Sequence, residues 1–318
     1  MDALIFLVRR LGTTVLLLVI VSFLIYSLLA LSPGDPVRML LGTRPASPEL
    51  LASIRAEYHL DAPFLTRYWD WLGAVVRGDL GRSIQSRETV TALMGQRLGV
   101  TVQLGLFSFV LVLLIGLPAG MLAGTRRGSA TDRAVTLAAL AGMSAPVFVI
   151  GLVLLYVLGL ATGLFPIFGA GGAGLDRLWH LTLPAIALAV AQIAVVTRQT
   201  RAAAMGVMAK DFVSFARSRG LPGSRIWRTY ALRNSALPVV TSAGMVLAYS
   251  LSGTVLVENI FGLPGLGSLL VTSVGTKDIP VVQGLTLITA TVVIVVNLLV
   301  DLCYLVLDPR ARHTGGVR

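Results

Sequence analysis

Lys210–Pro238 reads KDFVSFARSRGLPGSRIWRTYALRNSALP, a basic, partly amphipathic stretch set between two strongly apolar segments. Asp211 can cap a short helix, its carboxylate near the positive N-terminal end. Phe212, Phe215 and Ala216 fall at i, i+3, i+4 and are expected to form one apolar face, with Ser214 beside them. Arg217 and Arg219 fall towards the C-terminus, where cations are favoured. Gly220 can take the left-handed stop, Leu221 is the apolar residue that packs back, and Pro222 prevents continuation. A helix of about two or three turns ending at Gly220 follows. Two uses are open to it: resting on lipid with its arginines at anionic headgroups, or being gripped by a partner.

The rest of the 318 residues is what such a helix interrupts. The chain is 55% hydrophobic and 13% charged, with a mean hydropathy of +0.84; an ordinary soluble domain carries roughly 25% charged residues. Charge-free windows run over 11–34, 98–125, 134–175, 178–197, 234–257 and 279–300, each long enough for a span of about 20 residues. They predict an all-α integral membrane protein with six transmembrane helices. The run Leu11–Leu31 exceeds the roughly 7–15 residues of a leader's apolar region, so it reads as a span.

Basic residues set the orientation. Arg9 and Arg10 precede the first span, Arg126, Arg127 and Arg133 follow the second, and eight basic residues lie between Arg198 and Arg233 against one acid, Asp211. Both termini are expected in the cytoplasm, and the net charge of +11 serves topology rather than nucleic acid. The predicted divisions are a cytoplasmic N-terminus and first span (1–31), an extracytoplasmic loop with short helices (32–98), a five-helix core (99–307) containing the cytoplasmic segment 198–238, and a cytoplasmic tail (308–318).

Within the external loop, Ser47-Pro48-Glu49 is a helix start and Leu51, Ile54 and Tyr58 continue it; Asp61 before Pro63 starts a second helix with the stripe Phe64, Tyr68, Leu72 and Val75. Tyr68, Trp69 and Trp71 suit a helix at the membrane interface, or a small subdomain packed on itself. A last approach helix is expected near Thr89–Arg97. Gly116, Gly120 and Gly124 make a small-residue stripe for close helix approach, and Pro118, Pro146 and Pro184 predict bends.

Several chemistries are missing. The two lysines, Lys210 and Lys277, follow Ala and Thr, so no phosphate-cradling P-loop exists. His59, His180 and His313 are too scattered for a metal set, and lone Cys303 is expected to be a small buried apolar residue. The spans hold almost no ionisable groups, which speaks against an ion-coupled carrier or channel. Asp301, near the end of the last span and one turn after Asn297, is expected to pair with a neighbouring cation. What remains is a pore or transport subunit whose energy arrives from outside.

Motifs along nearly the whole chain give this a family. They are Pro33-Gly34-Asp35-Pro36, Gly78-Asp79-Leu80-Gly81-Arg82-Ser83, Asp211 through Gly220-Leu221, and Leu232-Arg233-Asn234-Ser235-Ala236-Leu237-Pro238. Glu258-Asn259-Ile260-Phe261-Gly262-Leu263-Pro264-Gly265-Leu266-Gly267, Asp278 through Gly284, Asn297 through Asp301 and Leu307-Asp308-Pro309-Arg310 complete the ordered set. The chain resembles the permease subunits of binding-protein-dependent ABC importers of the dipeptide/oligopeptide/nickel group. The resemblance implies a type I ABC importer permease fold and a role as a membrane subunit without catalytic residues, importing peptides or, alternatively, nickel, glutathione or another small solute. It also implies as partners a second homologous permease, two ATPase subunits that bind ATP and Mg, an extracytoplasmic binding protein, and membrane lipid. Such permeases carry a cytoplasmic loop, Glu-Ala-Ala followed after three residues by Gly, whose coupling helix enters a groove on the ATPase. Gly220 matches that Gly and Ser214, Phe215 and Ala216 take the three leading positions, which makes Asp211, Phe212, Ser214, Phe215, Ala216, Arg217, Arg219, Gly220 and Leu221 the ATPase-docking residues.

Overall fold

The computed structural model describes residues 2–30, 62–222, 225, 229 and 236–307. The predicted helix start at Ser47–Glu49 with Leu51, Ile54 and Tyr58, the start at Asp61, the Pro33–Pro36 and Leu307–Arg310 motifs in most of their length, His59 and His313 lie outside the described residues. Among the described residues the structure is helical apart from one isolated bridge, Arg82 to Thr89.

Helix α1 (Asp2–Ala30) is the first span, and α2 (Phe64–Val76) packs against it. Tyr68 of α2 is buried; its hydroxyl lies 2.9 Å from the Ser22 hydroxyl and donates to the Val19 carbonyl at 3.3 Å. Its ring meets Phe23 edge-on at 5.2 Å, and Tyr26, Phe64 and Trp71 extend the cluster. The aromatic stripe bolts α2 to the first span. Trp69 alone of that group points outward.

The expected approach helix and second span are one element, α3 (Val90–Thr125), started by Thr89, whose hydroxyl accepts from the Ala92 amide. No breaker separates Arg97 from the apolar run, so the helix simply continues. After a turn, α4 (Ala130–Ser144) and α5 (Val147–Leu154, widening into a π-helical stretch Leu155–Ala161) form a broken third span, bent by 99°. The window 134–175 is thus neither one straight helix nor helical to its end. Pro146 cannot donate to the previous turn and forces Ala145 into extended geometry (φ −88°, ψ 125°), which ends α4. Pro118 and Pro184 lie inside uninterrupted helices instead.

Helix α6 (Leu175–Met208) is the fourth span, followed by the short α7 (Asp211–Ser218). The fifth span is also broken: α8 (Ala236–Ser252) and α9 (Thr254–Ile260) meet at 43° around Gly253. Helix α10 (Leu266–Gly275) precedes the last span, α11 (Ile279–Leu307). Counting each bent pair once gives six spans.

The centre of the bundle is the parallel pair α3 and α6. The predicted glycine stripe is the reason they meet so closely: a Cβ on Gly116 would lie 3.1 Å from Val196 Cβ, one on Gly120 2.5 Å from the Thr197 carbonyl oxygen, and one on Gly124 2.7 Å from Ala204 Cβ. Helix α8 crosses this pair with Ser250 against Gly105, and α11 closes on α8 through Val300 at Gly244. At the basic end, Arg10 of α1 pairs with Asp301 of α11, as expected for an acid so near a helix end. Cys303 is exposed, contrary to expectation.

Two acids just beyond the apolar windows are buried and escape a count of charge-free segments. Glu258 of α9 accepts from the Thr101 hydroxyl at 2.7 Å and from the Ser268 amide at the start of α10 at 2.9 Å, while Thr101 Oγ1 accepts from the Leu266 amide. The Glu258 carboxylate fills the space a Cβ on Gly265 would need, and at Gly267 the Val255 backbone and the same carboxylate fill it. Asp278 accepts from the Ser83 hydroxyl at 2.5 Å and from the Ile84 amide at 3.1 Å. This fastens the Gly78–Ser83 turn to α11, where Leu80, Val90 and Met94 pack on Leu269, Val281 and Leu285. The Glu258-to-Gly267 and Gly78-to-Ser83 motifs are thus one scaffold at the end of the bundle opposite Arg10 and α7.

Candidate functional site

Helix α7 occupies the basic end, directly after α6. Its N-terminus differs from the expected one. Lys210 holds the cap position in extended geometry without a side-chain cap, and Asp211 is the first helical residue. Its carboxylate still lies in the first turn, where negative charge is favoured.

The C-terminus is as the sequence predicts. Gly220 has φ +75°, the Leu221 amide donates to the Ala216 carbonyl at 3.2 Å and the Gly220 amide to the Arg217 carbonyl at 2.9 Å. This pair of bonds is a Schellman stop, which requires a left-handed residue at Gly220. Leu221 packs back onto the helix, against Val213 and Ala216.

The apolar face is a correction. Phe212, Phe215 and Ala216 do not share one surface. Val213 and Ala216 are buried against Val207 and Met208 at the end of α6, whereas Phe212 and Phe215 are 42% and 64% exposed. Ser214, Arg217 and Arg219 are exposed with them. The Arg219 guanidinium lies over the Phe215 ring at 5.7 Å, favourable for cation–π contact. Helix α7 therefore has two apolar surfaces: a small aliphatic one packed on α6, and a more exposed aromatic one. The i, i+3, i+4 spacing of Phe212, Phe215 and Ala216 left Val213 out, although Val213 and Ala216 are themselves three apart. The pairing signal was present in Val207-Met208 and Val213, small apolar residues on both sides of the Lys210 turn.

Behind α7, α6 is held on two sides. Met208 also packs on Met121 and Ala204, at the end of the glycine stripe. Arg201, two turns before the end of α6, grips Asp132 at the start of α4 through Nε to Oδ1 at 2.5 Å and Nη2 to Oδ2 at 3.0 Å. Asp132 is buried, and its carboxylate also accepts from the Gly128 amide at 2.9 Å. Its backbone amide donates to the Ser129 cap at 3.2 Å. The sequence signal for this pair was the Ser129-x-x-Asp132 start after Gly128, which marks a helix N-terminus. Among the described residues no group of three or more His, Cys, Asp or Glu is placed to hold a metal ion.

The chain is similar to known proteins over nearly its whole length. Residues 116–313 match the family described as binding-protein-dependent transport system inner membrane component, and residues 3–105 match the N-terminal part of such components. The chain is 36% identical to the dipeptide transport system permease protein DppB of Escherichia coli (strain K12), covering 97% of this chain and 98% of that protein. It is 35% identical to the oligopeptide transport system permease protein AppB of Bacillus subtilis (strain 168), covering 97% and 99%. A chain of an inward-facing structure of the MetNI methionine ABC transporter superposes with a TM-score of 0.58 at 16% identity, covering 69% of this chain and 97% of that one; this likeness carries the fold, a type I importer permease. With two family matches that together span residues 3–313, the chain belongs to the binding-protein-dependent transport system inner membrane components.

Proposed function

We propose that this chain is one of two homologous permease subunits of an ATP-driven importer, forming half of a translocation path for peptides across the cytoplasmic membrane. The names of its relatives, a dipeptide and an oligopeptide permease, support the substrate class. Two ATPase subunits that bind ATP and Mg dock at the basic, cytoplasmic end, where both termini lie. A binding protein delivers substrate to the opposite, extracytoplasmic side, and lipid surrounds the spans.

One observation carries the docking assignment: α7 is fixed to α6 by Val213 and Ala216 while the Phe215 ring, under the Arg219 guanidinium, is 64% exposed. An anchored helix that presents aromatic rings is suited to a partner's groove, because fully burying one such ring contributes about 1.5–3 kcal/mol. Asp211, Ser214, Arg217 and Arg219 rim these rings, and the Gly220–Leu221 stop fixes where the helix ends. When the ATPases close on ATP, α7 moves as a lever and carries α6 with it. The bundle switches because the ATPases contact its two states differently.

Phe215→Asp tests the site. The ATPases are expected to stop co-purifying with the permease while membrane insertion is unchanged. Continued co-purification together with ATP-dependent uptake of a labelled dipeptide would refute the docking assignment.

A further inference from the structure

We infer that Asp132 and Arg201 are a positioning pair for coupling, which makes the broken third span travel with the docking helix. The inference rests on the docking reading of α7. Three observations carry it. First, Arg201 stands where three helices meet. A Cβ on Gly120 would lie 3.1 Å from its amide nitrogen and one on Gly124 2.7 Å from its carbonyl oxygen, so its backbone is wedged against α3. Its side chain reaches α4 and holds both Asp132 oxygens. Second, the pair is built for fixed geometry. Two parallel bonds from a guanidinium to one carboxylate define direction as well as distance, and the Gly128 amide holds the carboxylate from the other side. Third, α4 is the arm that most needs a fastening. Its far end turns through 99° at Pro146 into α5, whose Val147, Ile150 and Leu154 pack into the core that holds Leu104, Leu181, Val257 and Phe261.

Displacement of α7 therefore reaches α6 through Val207 and Met208, and one or two turns further along it meets Arg201. The glycine stripe passes the motion to α3. The charge pair passes it to α4, and the Pro146 elbow converts it into movement of α5 beside α9. Without the pair, α4 keeps only its side packing on α3 and α6, such as Gly142 on Val190, and loses its one directional tie to α6.

The test uses the assembled transporter reconstituted with its ATPases and binding protein, and reads peptide imported per ATP hydrolysed. Asp132→Asn removes the charge, and Arg201→Lys keeps the charge but cannot hold both oxygens. Both variants are expected to co-purify with the ATPases and to hydrolyse ATP as the wild type does. Import per ATP falls about tenfold in Asp132→Asn and less in Arg201→Lys. The double variant is no worse than Asp132→Asn, because both changes remove one contact. An unchanged ratio overturns the inference. So does a loss of import matched by loss of assembly or of melting temperature, which would make the pair structural only. If Asp132→Asn does not accumulate, Arg201→Lys decides by the same criteria. Failure of the docking reading shows elsewhere, in Phe215→Asp complexes that retain their ATPases.

Discussion

Replacing Gly120 by Ala adds one methyl group where the backbones of α3 and α6 meet. That methyl would lie 2.5 Å from the Thr197 carbonyl oxygen, 2.7 Å from Thr200 Cβ and 3.1 Å from the Arg201 amide nitrogen. None of these atoms is the end of a flexible side chain, so nothing can swing away. Ordinary carbon contacts begin near 3.5 Å, so α3 and α6 must part by about 0.8 Å, and a gap of 0.5–1 Å forfeits roughly a quarter to a half of each dispersion contact beyond it. Overpacking of this kind costs about 1–3 kcal/mol. Gly99 lies on the same helix with nothing within 4 Å of its Cβ position. Gly99→Ala is expected to stabilise by about 0.5–1 kcal/mol, the usual gain from removing a helical glycine. Thermal denaturation of the purified transporter in one detergent then yields shifts of opposite sign for two identical changes on one helix. Equal shifts, or a Gly120→Ala protein as stable as the wild type, would refute the claim that the stripe sets the α3–α6 distance.

Two further changes probe the scaffold and the stop. Gly220→Val places a β-branched residue at φ +75° and costs about 1–2 kcal/mol locally. ATPase co-purification is expected to weaken, while Gly220→Asn, which tolerates that conformation, retains most of it. Glu258→Ala leaves the Ser268 amide and the Thr101 hydroxyl without their buried acceptor, at about 1–3 kcal/mol for each unsatisfied group. Its melting temperature is expected to drop by more than that of Gly120→Ala.

Much of the fold was legible because it rests on composition and on backbone rules. Six apolar windows gave six spans, and the glycine stripe at 116, 120 and 124 gave the closest helix pair without naming its partner. The breaks were harder. Of the three prolines read as bends, only Pro146 ends a helix; Pro118 and Pro184 are carried inside continuous ones. The difference lies in whether the preceding residue is driven out of helical geometry, and Ala145 is, at ψ 125°. That outcome depends on what packs around the turn, which one chain position does not encode. Glu258 and Asp278 were missed for a related reason. A window count treats an acid as the edge of a membrane segment, whereas here each closes a turn and takes its bonds from residues 157 and 195 positions away.

The docking helix shows the same limit more sharply. Helix, stop and exposure of the arginines all follow from local rules, and all are present. The face that attaches α7 to its own chain does not follow, because hydrophobicity has no sign for direction: a Phe counts as more buried-seeking than a Val wherever it stands. In α7 the order is inverted. Val213 is fully buried and Phe215 is 64% exposed. The inversion has a physical use. Under the docking proposed for α7, the contact with α6 would hold through every cycle and would need only a tight aliphatic fit, which Val213 and Ala216 give against Val207 and Met208. A groove on another subunit needs more apolar area from fewer residues, and aromatic rings supply it. A lever of eight residues cannot meet both demands with one face. The large apolar residues left outside are therefore the better guide to the partner, and the small ones inside to the path by which the partner's motion enters the bundle.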